Sequence, residues 1–176
     1  IKEVKKNFPD VRIEILIPDF QGDLDSLQKV VESKPDVIGH NIETTENLTP
    51  IVRDKRASYE QSILILKNIK KLDSQILTKS SIMLGLGEND EQVLAALQDL
   101  KRVGVDIVTI GQYLQPSRRH LNVVEFIEPH KFKYWEKQAL ELEFLYVASG
   151  PLVRSSYRAG EFYVENVLNK KLKMKY

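Results

Sequence analysis

Short runs of β-branched residues alternate with segments of helical spacing along most of this 176-residue chain. Five runs have the length and composition of buried strands, at residues 12–17, 37–40, 76–84, 107–111 and 144–148. The segments between them carry apolar residues three or four positions apart, as the buried face of a helix does. The order βαβαβαβαβ therefore predicts an α/β fold with parallel strands and with helices packed outside them.

The helical segments begin and end with residues typical of helix ends. Their apolar faces lie at residues 24–31, 63–72, 93–103 and 132–142. Gly104 ends the third segment as a C-cap would, and Pro129 directly precedes the fourth. A further helix is predicted near residues 160–168, followed by a basic, solvated tail.

Five strands do not close an eight-stranded barrel. Either the sheet is open and doubly wound, or further strands lie upstream of the first residue. The chain begins with Ile1 and not with an initiator Met, and we expect from this that it starts inside a longer protein.

The composition excludes several classes of function. Twenty-six Lys and Arg against 25 Asp and Glu leave a net charge of +1, which gives no argument for a nucleic-acid or membrane-surface partner. No apolar run approaches the roughly 20 residues that a membrane span needs. The chain has no Cys, so disulfides, thiolate metal ligands and a cysteine nucleophile are excluded within it.

Ligands of parallel α/β proteins bind beyond the carboxyl ends of the strands. Each predicted strand is followed there by polar or glycine-rich residues, at 18–22, 40–44, 85–88, 112–116 and 149–151. Turn chemistry alone also places Gly, Asn and Asp at such positions. The strand ends therefore indicate where a site would lie without fixing its chemistry.

Two strand ends carry groups suited to a cofactor. Asn41 and Glu43 alternate by two, so an extended backbone turns both side chains the same way; an amide and a carboxylate together can bind an amino group or ribose hydroxyls. Gly85, Gly87 and Glu88 follow a strand and precede a helix, where glycines permit close approach of a ligand to free N–H donors. A turn cluster and an ordinary βα turn are the respective alternatives.

The segment after the last predicted strand is unusual for a structural loop. Arg154 and Arg158 flank the adjacent hydroxyls of Ser155 and Ser156, which predicts contact with an anion or a metal cluster; a surface loop is the alternative. His40 is either an acid or base or a satisfied packing histidine.

Five stretches recur in the order of one known family. They are IEILIPDFQGD, GHNIETTENLTPIVRDKRASYEQSI, TKSSIMLGLGENDEQV, VTIGQYLQPSRRHLNV and GPLVRSSYRAG, and they span residues 13–160. In these stretches the chain resembles the lipoyl synthases, which are radical S-adenosylmethionine (SAM) enzymes. The resemblance implies the C-terminal part of a partial (β/α) TIM-type barrel of the radical SAM kind, with residues 1–148 as its second half and residues 149–176 as a C-terminal segment.

The resemblance also implies a reaction. One [4Fe–4S] cluster, held by a cysteine triplet, cleaves SAM to a 5′-deoxyadenosyl radical. The radical takes hydrogen from C6 and C8 of an octanoyl chain on a carrier-protein lysine. A second, auxiliary [4Fe–4S] cluster is consumed as the sulfur donor.

Site residues follow from the resemblance, motif by motif. A serine of the RSSY motif is the fourth ligand of the auxiliary cluster, which carries over to Ser155 with Ser156 as the fallback. The SAM-binding polar pair corresponds to Asn41 and Glu43. The loop against the SAM nucleoside corresponds to Gly85, Gly87 and Glu88. The substrate cavity corresponds to Gln112, Tyr113 and Arg154.

The implied partners are octanoylated lipoyl-carrier domains or the glycine cleavage H protein, and an electron donor such as ferredoxin or flavodoxin. No nucleic-acid or membrane partner is expected. The implied location is the cytoplasm of a bacterium, or the mitochondrion or plastid of a eukaryote.

Two departures from the family pattern affect these expectations. Both cysteine triplets of the family lie in its N-terminal half, so we expect this chain to be a C-terminal portion that is inactive alone. Glu143 stands where the family usually has Gly before the last strand.

Three alternatives remain open. The first is another radical SAM sulfur-inserting enzyme, which should lack RSSYRA. The second is a cysteine-free remnant that binds a carrier protein or a nucleotide. The third is a phosphate-binding barrel enzyme that uses Gly85 and Gly87.

Overall fold

The computed structural model describes residues 1–156, which form one five-stranded parallel sheet with helices. The strands are β1 (Glu14–Leu16), β2 (Val37–Gly39), β3 (Leu77–Leu84), β4 (Ile107–Gln112) and β5 (Tyr146–Gly150). The helices are α1 (Lys2–Asn7), α2 (Leu24–Glu32), α3 (Thr49–Val52), α4 (Tyr59–Leu72), α5 (Asp90–Arg102) and α6 (Pro129–Glu141), with 3-10 turns at Phe20–Gly22 and Glu46–Leu48.

The order of the strands decides between the two predicted architectures. The strands lie in the sequence β1-β2-β3-β4-β5, and each is parallel to the next. A doubly wound sheet reverses its strand order at one point, which places helices on both faces. Sequential order with right-handed crossovers places the helices on one face, which is the arrangement of a barrel. The prediction of a parallel α/β barrel portion is confirmed.

One face of the sheet forms the core with the helices. Ile82, Val108, Ile110 and Val147 from the strands pack in one cluster with apolar side chains of α2, α4, α5 and α6, among them the buried Trp135. Removing this apolar surface from water is the main force that holds the helices on the sheet. The face therefore corresponds to the outside of a barrel wall.

The opposite face, called the inner face below, is defined by Glu14, Gly39, Lys79, Thr109 and Gly111, which alternate with the core residues along their strands. The Lys79 Nζ donates to Glu14 Oε1 at 2.7 Å, and Lys79 is only 3% exposed. Lys79 pairs in register with Gly39, whose missing side chain leaves its path across β2 open. The ion pair thus ties β3 to β1.

The predicted helix ends are confirmed. Asn89 accepts a hydrogen bond from the Gln92 N–H, and the Gln92 side chain accepts one from the Asn89 N–H, which is a capping box at the start of α5. Gly104, with a φ of +85°, follows the end of that helix. Glu143 follows α6 with a φ of +63°, a left-handed conformation in which glycine is favoured.

The boundaries differ from the predictions in several places. β1 has three residues where six were predicted, and β5 begins and ends two residues later than predicted. Helices α1 and α3 were not predicted. The predicted helix at 160–168 and the basic tail lie outside the described residues, so the proposed division at residue 148 stays a prediction. Within residues 1–156, no helix has the length and apolar content of a membrane span.

Candidate functional site

The segment after β5 folds back over the inner face at the end of β4. A Cβ atom on Gly111 would lie 2.2 Å from the Val153 carbonyl oxygen, so the two backbones approach more closely than any side chain allows. The Arg154 Nη1 donates to the carbonyl oxygens of Val153 at 2.8 Å and of Gln112 at 3.4 Å. Gly111 therefore allows the first part of the RSSY segment to lie on the carboxyl end of β4.

The two candidate metal-ligating serines follow this contact directly. Ser155 is half-buried, and Ser156 is exposed. Neither hydroxyl has a hydrogen-bond partner within residues 1–156. The structure thus brings the serine that was predicted as the ligand to the end of the sheet where a ligand is expected, while its role stays a prediction.

Asn41 and Glu43 lie side by side, as their spacing predicted. The Asn41 Nδ2 donates to Glu43 Oε1 at 3.1 Å. The Glu43 backbone continues the pairing with β3, because its N–H donates to the Ser81 carbonyl at 3.0 Å and its carbonyl accepts from the Met83 N–H at 2.9 Å. Glu43 has a φ of +66°, which is strained for a residue other than glycine. The ladder hydrogen bonds hold the carboxylate at this edge despite the strain.

The loop at 85–88 uses its acidic residue internally. The Glu88 carboxylate accepts from the Gly85 N–H at 2.5 Å and from the Leu86 N–H at 2.9 Å. Two of the backbone donors expected to face a ligand are therefore already bonded. The open side of the loop is at Gly87, where an added Cβ would meet only Val124 side-chain atoms at 3.8 Å or more. The assignment of Gly85, Gly87 and Glu88 to cofactor binding stays a prediction.

Gln112 and Tyr113 hold the chain that follows β4. The Gln112 Nε2 donates to the Tyr113 and Glu125 carbonyls, both at 3.0 Å, and its Oε1 accepts from the Ile127 N–H at 2.9 Å. The Tyr113 hydroxyl donates to the Leu121 carbonyl at 2.8 Å. Their assignment to substrate binding stays a prediction, but their polar atoms already support the loop at residues 113–127.

This loop also packs against the glycine loop. A Cβ atom on Gly85 would lie 2.4 Å from both Gln112 Nε2 and the Glu125 carbonyl oxygen. The Gly85 carbonyl accepts from the Val124 N–H at 2.9 Å. The two loops that follow β3 and β4 are therefore in direct backbone contact.

His40 is a satisfied core residue. Its Nδ1 lies 2.9 Å from the Ile17 carbonyl oxygen, so we assign the proton to this nitrogen, and its Nε2 accepts from the Ser62 hydroxyl at 3.0 Å. Burial lowers the pKa of His40, and the nearby Arg53 guanidinium lowers it further, against the opposing effect of Asp19. A buried neutral imidazole with both nitrogens bonded supports the packing interpretation.

Sequence reasoning missed a cleft beside His40. The cleft has a volume of about 490 Å³ and is lined by the 3-10 turn after β1 and by the basic loop before α4. Arg53 in that loop donates to Ser62 Oγ at 2.6 Å and is half-buried. The apolar spacing of α4 gave no signal for Ser62, whose hydroxyl joins Arg53 to His40.

The model of a protein family described as the radical SAM superfamily matches residues 1–100, which is more than half of the chain. The chain belongs to the radical SAM superfamily.

The most similar relatives of this radical SAM chain include mitochondrial lipoyl synthases. Identity is 56% to that of Branchiostoma floridae, over 97% of this chain and 46% of the relative. Identity is 55% to that of Aedes aegypti, over 96% of this chain and 43% of the relative. It is 51% to that of Candida tropicalis, over 97% of this chain and 45% of the relative. The chain thus spans a little under half the length of these curated relatives.

Among solved structures, hydroxymethylglutaryl-CoA lyase from Pseudomonas aeruginosa is similar with a TM-score of 0.49. Sequence identity is 16%, and the match covers 95% of this chain and 67% of that one.

The donor atoms of this radical SAM chain suit only part of a cofactor set. Asn41 and Glu43 present an amide and a carboxylate that would suit polar contacts to SAM, and the Ser155 hydroxyl would suit one ligand position of a cluster. The chain has no Cys, and no group of three or more His, Asp or Glu within residues 1–156 is placed to hold a metal ion. The fit therefore extends to the SAM contacts and a single cluster ligand, and any thiolate ligands would come from other residues.

Proposed function

We propose that this chain is part of a lipoyl synthase, which inserts two sulfur atoms at C6 and C8 of an octanoyl group on a carrier-protein lysine. The observation that carries the proposal is the identity of 51–56% to mitochondrial lipoyl synthases over nearly the whole chain. The position of residues 153–155 over the end of β4 supports it, because Ser155 would supply a ligand at the mouth of the barrel.

SAM and two [4Fe–4S] clusters, when bound, supply the radical that removes the hydrogens and the sulfur that replaces them. In this chain, Asn41 and Glu43 would bind the SAM amino group or ribose hydroxyls, since together they present donors and acceptors. Gly87 would let the loop backbone approach the nucleoside, because among residues 1–156 a Cβ atom on Gly87 would meet only the Val124 side chain, at 3.8 Å or more.

Ser155 would give its hydroxyl oxygen to the auxiliary cluster. Oxygen is a harder and less usual iron ligand than thiolate, so a serine favours a labile iron site. That property suits a cluster that is taken apart to release sulfur. Arg154, fixed by two carbonyls, would place a cation beside the cluster or substrate.

The proposal extends to partners and location. The cysteine ligands of both clusters would lie elsewhere in the longer protein, and this chain would be inactive alone. The substrate would be an octanoylated lipoyl domain or the glycine cleavage H protein, and the electron donor a ferredoxin or flavodoxin. The relatives named above are mitochondrial, which favours the mitochondrion as the location.

The test is Ser155→Ala in the full-length protein, with Ser156→Ala as the matched control. We expect Ser155→Ala to keep SAM cleavage while losing lipoyl formation and iron from the auxiliary cluster, and Ser156→Ala to keep all three. Lipoyl formation at the wild-type rate in Ser155→Ala would remove the ligand assignment. The reverse pattern would transfer the role to Ser156.

A second candidate is a binding module for a carrier protein or a nucleotide, favoured by the absence of Cys. Intact mass and iron content of the protein from its source separate the two. About eight irons, the sum of two [4Fe–4S] clusters, in a protein heavier than 20.3 kDa support the synthase. A mass of 20.3 kDa without iron supports the binding module.

A further inference from the structure

The loop after β4 exposes four large apolar side chains. The segment at residues 114–126, called the tip loop below, exposes Phe126 by 71% and Val124 by 67%, and Leu114 and Leu121 by more than a third. Scattered apolar residues are normal on a surface, but a group within one loop marks an interaction site. The proposed chemistry gives these four side chains no role.

The tip loop is held in one conformation by its own hydrogen bonds. The Gln115 Nε2 donates to the His120 carbonyl at 2.8 Å and to Asn122 Oδ1 at 3.1 Å. The His120 N–H donates to the Ser117 carbonyl at 2.9 Å. Gln112 and Tyr113 fasten the two ends, as described above. A surface that is rigid before binding loses little conformational entropy on binding.

The tip of the loop also carries two cations without acidic partners. Arg118 and Arg119 are both exposed, and neither makes an ion pair within residues 1–156. Apolar side chains beside arginines are the composition of protein interfaces, where Arg and aromatic residues supply much of the affinity. Two adjacent guanidinium groups select an acidic partner surface.

The tip loop is continuous with the candidate site. Val124 donates to the glycine-loop backbone at Gly85, and the Glu125 carbonyl contacts Gln112 at the end of β4. A partner seated on the tip loop therefore lies at the mouth of the barrel, within reach of groups on the inner face.

We infer that the tip loop is the docking surface for the acidic face of the carrier domain whose acylated lysine enters the site. The inference rests on the proposed function for the identity of that partner. A membrane is a poorer match, because lipid-binding segments gather about four to eight cations, whereas the tip of this loop carries the two arginines Arg118 and Arg119. A second copy related by a two-fold axis through the tip of the loop would bring the arginine pairs of both copies together, which like-charge repulsion disfavours.

The experiment compares two substrates in the full-length holoenzyme: an octanoylated lipoyl domain and a short octanoyl-lysine peptide. Arg118→Glu/Arg119→Glu is expected to raise the KM for the domain about tenfold and to leave SAM cleavage and the KM for the peptide unchanged. Added salt should raise the domain KM of the wild type and not that of the variant, because it screens the charge pairs. Lys133→Glu/Lys137→Glu on the exposed side of α6 is the control with the same change in charge.

The apolar part of the surface has its own variant. Leu121→Ser/Phe126→Ser should also raise the domain KM and spare the peptide, while Leu140→Ser, on an exposed position of α6, should affect neither substrate. Variants of exposed side chains are expected to fold.

The inference is wrong if the two KM values rise together, if neither changes, or if the control pair has the same effect as the arginine pair. It is also wrong if sedimentation shows that the arginine variant changes the oligomeric state, because the surface would then join copies of this protein. A wild-type enzyme that converts neither the domain nor the peptide contradicts the proposed function instead. In that case direct binding of the octanoylated domain to the wild type and the arginine variant still tests the docking surface.

Discussion

The contact between Gly111 and Val153 makes a sharp prediction about the position of the RSSY segment. In Gly111→Ala, the added Cβ would lie 2.2 Å from the Val153 carbonyl oxygen, whereas ordinary contact begins at 3.4 Å. The segment must therefore move by about 1.2 Å, the difference between these distances. Backbone, and not a flexible side chain, has to yield.

Two effects follow from this displacement. Overpacking of this kind costs about 1–3 kcal/mol of stability, which a folded protein of this size tolerates. A shift of about 1 Å in a group at the reacting site lowers turnover by about 100-fold. We therefore expect Gly111→Ala to fold, to retain SAM cleavage and to lose nearly all lipoyl formation.

Gly150→Ala provides the matched control. Gly150 is the register partner of Gly111 on β5, and within the described part of the chain its added Cβ would meet only the Val153 Cγ2, at 3.4 Å. The control adds the same methyl group next to the same residue without moving its backbone. Single-turnover lipoyl formation and deoxyadenosine release are measured for both variants. Equal lipoyl formation in the two would refute the argument that Gly111 positions the serine.

Three further predictions concern stability, measured by urea unfolding. Glu143→Gly should stabilise the protein by about 0.5 kcal/mol, because the left-handed penalty of about 1 kcal/mol exceeds the extra entropy of glycine in the unfolded chain; an unchanged midpoint would contradict this. Glu14→Gln should lower the free energy of unfolding by about 3 kcal/mol, because it leaves Lys79 buried without its carboxylate. The double variant Glu14→Gln/Lys79→Met should recover most of that loss. The control Asp54→Asn breaks an exposed ion pair and should change the free energy of unfolding little. Burial holds the pKa of folded His40 below its usual 6.5, so the unfolded state binds the proton first as the pH falls from 7 to 5. The wild type should therefore lose stability over that range, and His40→Gln should lose less. Parallel pH profiles of the two proteins would show that His40 is not responsible.

Periodicity was sufficient to predict the sheet and its main helices. The runs at β3 and β4 and the apolar faces of α4 and α5 follow directly from the side-chain spacing of buried strands and helices. Helix α1 was not predicted, because its sequence, KEVKKN, has no buried residue and so no apolar period. The 3-10 turn at Phe20–Gly22 was not predicted, because Phe20 and Gln21 adopt positive φ and neither residue type indicates that conformation.

The candidate site was predictable in place but not in detail. The rule of strand ends predicted that Asn41, Glu43 and Ser155 lie at the carboxyl edge of the sheet, because topology alone fixes where strands end. The hydrogen bonds of Gln112 were not predictable, since a residue at a strand end is as well placed to line a cavity as to support a loop. The role of Gly111 depends on a contact with a residue 42 positions later in the sequence, and no local pattern reports such a contact.

Gly85 packs against Gln112 and Glu125, so the two loops that follow β3 and β4 have to move together. Neither loop has space to shift alone, because a displacement of a fraction of an ångström already brings atoms into collision. If one loop binds SAM and the other a carrier domain, the free energies of the two binding events are linked. Linkage is reciprocal, so a carrier domain that changes the affinity for SAM by some factor must have its own affinity changed by SAM by the same factor.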